Sequence, residues 1–174
     1  RRRRRLHRVN AGHLRLADAT WPEVESAGRD VLIVPVGATE QHGPHLPLDT
    51  DTYLAAAVAA RLHDERPASG LAPAVPFGSS GEHADFPGTL SAGADVLCSL
   101  IVELVRDSAR FWPAVLVVNG HGGNLKPLQA AQKLCDHEGR RLGVVHLALA
   151  GMDAHAGVAE TSMMIRLAPE RVRL

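Results

Sequence analysis

Histidine and carboxylate side chains cluster in three glycine-containing segments of this 174-residue sequence. The candidates are Glu40, His42, Asp49 and Asp51 in residues 37–51, His121 in residues 119–124, and Asp153, His155 and Glu160 in residues 151–162. The sequence contains 10 histidines, which is more than an unspecialised globular domain of this length needs. An imidazole beside flexible backbone and away from helices indicates metal ligation or proton transfer.

The mixture of side chains favours a divalent metal centre over a nucleophilic triad. Imidazole nitrogens and carboxylate oxygens together suit Zn²⁺, Mn²⁺ or Fe²⁺, whereas an all-oxygen set would suit Mg²⁺ or Ca²⁺. The sequence has no GxSxG motif, and both of its cysteines fall in predicted helices. A bridging carboxylate lets two ions approach to about 3.5–4 Å, where a shared water loses a proton near neutral pH and attacks a carbonyl carbon. These residues therefore predict hydrolysis of a C–N bond.

Each segment also has a plainer explanation when it is taken alone. Glu40 and His42 could belong to a polar turn, and Asp49 and Asp51 could be acids at the start of a helix. Residues 119–124 could be a glycine turn, and His155 and Glu160 could be a surface pair. The joint occurrence of all three segments is what favours a shared site. Seven histidines receive no role: His7, His13, His45, His63, His83, His137 and His146.

The apolar pattern predicts that strands and helices alternate along the chain. Short runs rich in β-branched residues predict strands, and Ala-rich or amphipathic runs predict helices. The predicted strands are residues 31–36, 114–118 and 142–149, with a proline-interrupted extended segment at 71–77, and the predicted helices are residues 51–65, 94–112 and 124–138. This order requires crossover connections, so we predict an α/β fold with a mostly parallel sheet flanked by helices on both faces.

The predicted sheet explains how the three segments could meet. In open α/β sheets, ligands bind beyond the carboxyl ends of the strands, because loops converge there and helix amino termini point inward. Each histidine-bearing segment follows a predicted strand. We therefore expect the candidate side chains to lie at one edge of the sheet.

Composition and charge exclude several classes of protein. The 19 Lys and Arg balance 19 Asp and Glu, which argues against a nucleic-acid binder. The longest apolar runs are too short to span a membrane. Cys98 and Cys135 form no CxxC pair, which indicates neither a disulfide framework nor a cysteine zinc site and fits a cytoplasmic protein. We expect neither a nucleic-acid nor a membrane partner.

The ends of the sequence give two expectations about domain organisation. The arginine run at residues 1–5 opens a segment without apolar periodicity, so we predict a flexible arginine-rich arm over residues 1–16. Residues 17–174 are predicted to form a single domain, because no internal repeat or linker interrupts them.

Four ordered motifs resemble the creatininase (creatinine amidohydrolase) family. They are GATEQHGPHLPLDTD after residue 36, GEHADFPGTLS at 81–91, NGHGGN at 119–124 and DAHAGVAETSMM at 153–164. The resemblance covers nearly all of residues 31–170. Within the family, the motifs look most like those of the peptidases that trim the modified mycofactocin precursor peptide.

The resemblance implies a three-layer αβα fold with a binuclear metal centre. By position, Glu40 and His121 would bind one divalent ion, His42 would bind the other, and Asp51 would bridge them. The ions implied are Zn²⁺, Fe²⁺ or Mn²⁺. His155 would be the acid/base that passes a proton to the leaving nitrogen. Relatives also form closed oligomers, so a homo-oligomer is expected.

Two departures from the family pattern change these expectations. Creatinine-hydrolysing members carry a glutamate at the position of Gly123, and Glu160 is the nearest motif carboxylate that could replace it. We therefore assign Glu160 to the second ion and to the catalytic set, and creatinine becomes an unfavoured substrate. Relatives also continue past the segment that matches residues 169–174, so the domain is expected to lack its C-terminal part.

Three functional hypotheses follow. The first is a metal-dependent peptidase that cleaves the C-terminal Val-Tyr-derived dipeptide from the modified mycofactocin precursor peptide. The second keeps the two-ion site but gives it a small cyclic amide or a formamide. The third is an inactive, metal-poor scaffold that binds a partner without turnover. Metal content and a peptide assay separate the three hypotheses.

Overall fold

The computed structural model describes residues 14–147, 153 and 155–174, which contain a five-stranded parallel sheet. Its spatial order is β1-β3-β2-β4-β5. The strands are β1 (Leu14–Arg15), β2 (Leu32–Val36), β3 (Gly70–Leu71), β4 (Val115–Asn119) and β5 (Leu142–His146). The helices are α1 (Trp21–Ser26), α2 (Thr50–Glu65), α3 (Ala94–Ser108), α4 (Leu125–His137) and α5 (Val158–Leu167).

The centre of the sheet is the β2–β4 pair, which runs in register from Leu32 opposite Val115 to Val36 opposite Asn119. Successive side chains of β2 face opposite sides of the sheet and are apolar on both, as expected of a parallel strand covered on both faces. The matched register brings the ends of β2 and β4 to the same level. The loops that follow them therefore start side by side.

Helices cover both faces and complete three layers. On one face, α3 and α4 pack against each other and on the inward side chains of Val34, Val36 and Val117. On the other face, α2 packs on Ile33 and Val118, and α5 packs against α2. The predicted α/β fold with a parallel sheet between helices is confirmed.

The segment predicted as extended at 71–77 forms only a short strand. Regular pairing covers Gly70–Leu71, and Val75 adds an isolated bridge to Val36. Pro73 and Pro76 lack the N–H that a longer ladder would need. The predicted helix at 94–112 likewise ends at Ser108, four residues before Trp112, whose side chain is buried.

The predicted arm over residues 1–16 needs a correction at its end, because Leu14 and Arg15 form β1 on the edge of the sheet. Leu14 pairs with Gly70 of β3, and its side chain is buried. Residues 1–13 lie outside the described residues, as do residues 148–149 of the strand predicted at 142–149. Sequence reasoning also missed α1, which begins with a capping box between Thr20 and Glu23.

The described helices contain none that is long and apolar enough to cross a membrane. Cys98 and Cys135 are free thiols, with Cys98 half-buried and Cys135 buried. Burial, reinforced by nearby carboxylates, raises the pKa of both thiols.

Candidate metal centre

The structure brings the six predicted site residues together at the carboxyl ends of β2 and β4. The loop after β2 carries two of them, the first turn of α2 one, the loop after β4 one, and the turn and start of α5 two. In chain order these are Glu40, His42, Asp51, His121, His155 and Glu160. Four are buried, whereas His155 and Glu160 are partly open to solvent.

Asp51 lies between two histidines and directs one oxygen at each. Its Oδ1 is 3.0 Å from His42 Nε2, and its Oδ2 is 3.1 Å from His121 Nδ1. Glu40 Oε1 is also 3.2 Å from His121 Nδ1. Asp51 therefore joins a first cluster, made of Glu40, Asp51 and His121, to a second cluster that contains His42.

Backbone carbonyls determine which nitrogen of each ring faces Asp51. The His42 Nδ1–H donates to the Glu40 carbonyl at 3.2 Å, and the His121 Nε2–H donates to the Ser79 carbonyl at 2.9 Å. In a neutral ring this leaves a lone pair on His42 Nε2 and on His121 Nδ1. Metal-bound histidines are held in this way, with the second ring nitrogen donating to a carbonyl or a carboxylate.

The buried carboxylates of the first cluster lack hydrogen bonds. Among the described residues, both Glu40 oxygens and Asp51 Oδ2 are buried and accept no hydrogen bond. A buried ionised carboxylate is costly unless a cation balances it. Burial would lower the pKa of His121, but Asp51 and Glu40 outweigh that effect and raise the pKa to about 10, so without an ion His121 carries a proton at Nδ1 that a bound metal would replace. The cluster thus attracts a cation, and its nitrogen and oxygen donors fit a divalent transition metal.

Glu160 completes the second cluster with His42 and Asp51. Its Oε2 is 4.0 Å from His42 Nε2, and the same oxygen accepts the Ala156 N–H. Burial raises the pKa of Glu160, although the nearby His42 acts in the opposite direction. Ala156, whose N–H bonds to Glu160, has a φ of 49°, a left-handed backbone conformation that residues other than glycine rarely adopt.

Gly123, the position that departs from the family pattern, has no room for a side chain. A Cβ there would lie 2.2 Å from Ser79 O and 2.5 Å from both His121 Nε2 and Glu82 Oε1. A glutamate at 123 is therefore incompatible with this backbone. The geometry fits the assignment of the second cluster's carboxylate to Glu160.

His155 lies over the two clusters at the mouth of a cleft of about 490 Å³. Its Nδ1 is 3.6 Å from Glu40 Oε1, and its ring centroid is 4.5 Å from that of His42. The cleft also has an apolar wall, formed by Leu54, Val58, Leu147 and Met163. A larger cleft, of about 660 Å³, lies at the opposite ends of the strands and is lined by no histidine among the described residues.

Two asparagines hold the site loops together. Asn124 donates to Gly37 O and to Asn119 Oδ1, both at 3.0 Å, and accepts the Ser79 N–H at 2.8 Å. Asn119 donates to His121 O at 2.7 Å. These bonds tie the loops after β2 and β4 to the segment that positions His121, so the NGHGGN motif builds the framework as well as a ligand.

Gly120 tests how tightly this framework is packed. A Cβ at position 120 would lie 2.3 Å from Asp51 O. We expect Gly120→Ala to lower the free energy of unfolding by about 1–3 kcal/mol, a typical overpacking cost, and to weaken zinc binding by displacing Asp51. Gly122→Ala is the matched control, since a Cβ there meets nothing within 4 Å. Urea unfolding and zinc titration check this, and equal losses in the two variants would contradict the close approach.

Two site candidates from the sequence, Asp49 and Asp153, do not belong to either cluster, and neither does His45. Asp49 binds Arg171 at 2.7 Å on the surface. Asp153 accepts the N–H groups of Val158 and Ala159 and so caps α5. His45, which was given no role, bonds to a threonine hydroxyl of α5 at 2.8 Å.

Sequence reasoning missed three polar residues of the site: Gln41, Glu82 and His83. Glu82 Oε1 is 3.5 Å from His121 Nε2, and Glu82 forms a metal-capable group with Glu40 and His121. The signal was present, because the GEH sequence at 81–83 follows the predicted extended segment at 71–77, just as the other site motifs follow predicted strands. Gln41 and His83 both contact His155.

Comparisons with known proteins find similar sequences and similar folds. The sequence profile described as creatininase, creatinine amidohydrolase, matches residues 17–174. The mycofactocin precursor peptide peptidase of Mycolicibacterium smegmatis is 47% identical over 147 residues, which are 82% of this chain and 60% of that protein. The crystal structure of creatinine amidohydrolase superposes with a TM-score of 0.76 at 28% identity, covering 92% of this chain and 74% of that one.

A further solved structure, described as creatininase Mn, superposes with the same TM-score of 0.76 at 28% identity and covers 92% of this chain and 75% of that one. Its description names a metal that suits mixed nitrogen and oxygen ligands. The chain spans about three fifths of the length of the first curated relatives that it matches.

Proposed function

The chain belongs to the creatininase family, and from that premise we propose that it is a binuclear metal-dependent hydrolase of amide or peptide bonds. The observation that carries the proposal is Asp51, whose two oxygens face His42 and His121 at 3.0 and 3.1 Å. A carboxylate in this position is suited to bridge two ions. Glu40 and His121 would complete the first ion site.

His42 and Glu160 would complete the second ion site, on the other oxygen of Asp51. Two divalent ions, Zn²⁺, Fe²⁺ or Mn²⁺, would supply Lewis acidity that lowers the pKa of a shared water and polarises the scissile carbonyl. The buried carboxylate oxygens without hydrogen bonds support this cation requirement.

His155 is proposed as the acid/base residue. Its Nδ1 lies 3.6 Å from Glu40 Oε1 of the first cluster, and its ring lines the same cleft as Glu160. A substrate amide seated on the clusters would place its leaving nitrogen within reach of this ring. His155 would accept a proton at Nδ1 and pass it to that nitrogen.

The substrate proposed is the modified mycofactocin precursor peptide, cleaved to release its C-terminal Val-Tyr-derived dipeptide. The similarity to the Mycolicibacterium smegmatis peptidase supports this choice. The apolar wall of the cleft is suited to an aliphatic or aromatic side chain. The alternative, a small cyclic amide or a formamide, is supported by the likeness to creatinine amidohydrolase but would leave much of that wall unused.

A peptide assay tests the proposal. The zinc-loaded chain is incubated with the modified precursor, and mass spectrometry follows the products. We expect release of the C-terminal dipeptide-derived fragment, abolished by a chelator and restored by added zinc. No release at saturating metal would contradict the peptidase. Turnover of creatinine or of a formamide in parallel reactions would then favour the alternative substrate class.

The same experiment addresses the inactive scaffold. A chain that binds fewer than about one transition-metal ion after zinc loading and releases no product would match that hypothesis. We further propose a cytoplasmic homo-oligomer. Its support is the pair of free thiols and a stripe of exposed apolar side chains four residues apart on α3, formed by Val96, Leu100 and Leu104.

A further inference from the structure

One residue between two metal-ligand candidates holds the ring of His155. The Gln41 side-chain nitrogen lies 2.9 Å from His155 Nε2, and the Gln41 main-chain oxygen lies 2.8 Å from the same ring nitrogen. His155 Nε2 therefore has a hydrogen-bond partner in either protonation state. When Nε2 carries a proton it donates to the Gln41 carbonyl oxygen, and when it carries none it accepts from the Gln41 amide nitrogen. Proton movement does not require the ring to turn.

The orientation of the Gln41 amide is fixed by a third bond. Gly43 N–H donates to Gln41 Oε1 at 3.0 Å, so the side-chain nitrogen must face the other way. One of its hydrogens meets His83 Nδ1, 3.1 Å away, and the other meets His155 Nε2 whenever the proton of that ring is on Nδ1. Gln41 thus bridges two imidazoles.

His83 restrains the plane of the His155 ring. The two rings stack with their centroids 4.6 Å apart and their planes 19° apart. His83 lies at the end of the short turn Gly81–His83, and Phe86 packs edge-on against it at 6.0 Å. A half-exposed ring without such neighbours would populate several rotamers.

We propose that Gln41 and His83 are positioning residues that hold His155 with its Nδ1 directed at the metal clusters. The catalytic part of this inference rests on the proposed function, whereas the ring orientation does not. In the part of the chain that the structure describes, the Gln41 side chain bonds to no proposed metal ligand, and His83 Nε2 lies 4.0 Å from Glu40 Oε1 without a hydrogen bond to it. Their loss should therefore affect turnover and leave metal binding intact.

The test begins with Gln41→Met, which keeps the side-chain length and removes the amide. We expect kcat for the modified precursor to fall about 10–100-fold, the range seen when supporting hydrogen bonds around a metal site are lost, with KM and zinc content unchanged. Gln132→Met is the matched control, since Gln132 donates to Leu142 O at 3.3 Å on α4, away from the site. It should keep the wild-type kcat.

A second pair separates stacking from hydrogen bonding. His83→Phe retains an aromatic ring against His155, and His83→Ala removes it. We expect His83→Phe to keep a higher kcat than His83→Ala at equal zinc content. Equal kcat in both variants would show that stacking contributes nothing and would overturn the part assigned to His83.

A spectroscopic measurement tests the hydrogen bonds at His155 Nε2 without a substrate. Long-range ¹H–¹⁵N imidazole spectra of the zinc-loaded chain report which ring nitrogen of His155 is protonated, and its signals are identified by their absence in His155→Ala. In Gln41→Met only the main-chain carbonyl remains at Nε2, so we expect the tautomer with the proton on Nε2 to be more populated than in the wild type. Unchanged His155 shifts, loss of zinc, or an unchanged kcat in an active enzyme would each overturn the inference. A wild type that cleaves no peptide defeats the proposed function, and the spectra still test the bonds that hold the ring.

Discussion

Asp51→Ala is expected to remove bound metal and hydrolysis together. Asp51 supplies an oxygen to both clusters, at 3.0 Å from His42 Nε2 and 3.1 Å from His121 Nδ1, so one substitution takes a ligand from each ion site. Metal ions in such sites supply several kcal/mol of transition-state stabilisation. A loss of about 4 kcal/mol corresponds to a rate about 10³-fold lower. Metal analysis by mass spectrometry and the peptide assay measure the two effects.

Asp49→Ala is the matched control for this prediction. Asp49 lies two positions earlier in the same motif, but its carboxylate is half-exposed and binds Arg171 at 2.7 Å. The variant should retain the wild-type zinc content and rate. Comparable metal loss from the two variants would mean that the motif as a whole, and not the bridging position, accounts for binding.

His155→Ala is expected to abolish most turnover while the metal stays bound. Its Nδ1 is 3.6 Å from Glu40 Oε1, in a metal-capable group with Glu40 and His42, but the two proposed ion sites are complete without it and its side chain is partly open to solvent. General acid/base catalysis typically contributes about 10²–10⁴-fold, so kcat should fall by that order. Zinc content should match the wild type, and KM should change little, because the ring acts on the proton and not on binding.

His45→Ala controls for the loss of a histidine near the same elements. His45 bonds to Thr161 of α5 at 2.8 Å but is not part of either cluster. It should keep both zinc and rate. If His155→Ala lost zinc as completely as Asp51→Ala, His155 would be a ligand and the acid/base assignment would be wrong.

The convergence of the site residues was predictable from the sequence because the argument depended on topology. Parallel strands end at one edge of the sheet, so the alternation of strands and helices predicts that the residues after β2 and β4 are neighbours. The same argument does not predict which ring nitrogen of each histidine faces the site. The Ser79 carbonyl that fixes the His121 tautomer lies 42 positions away in the sequence.

Other features could not be read from the sequence for different reasons. β1 has two residues, which is too short to show any periodicity, and it was included in the predicted arm. Gln41 received no role, since an amide between two ligand candidates has no distinguishing pattern. The absence of room at Gly123 depends on Ser79 and Glu82, which reach it from a distant turn.

The number of metal ions bound per chain tests the central claim most directly. Asp51 contacts His121, which also contacts Glu40, and forms a metal-capable group with His42 and Glu160, so the purified chain, loaded with zinc and freed of excess metal, should contain about two ions. Metal analysis against protein concentration gives this number. A value near two, reduced toward zero in Asp51→Ala, is the predicted result. A chain that binds one ion or none at saturating zinc would contradict a bridged two-ion centre.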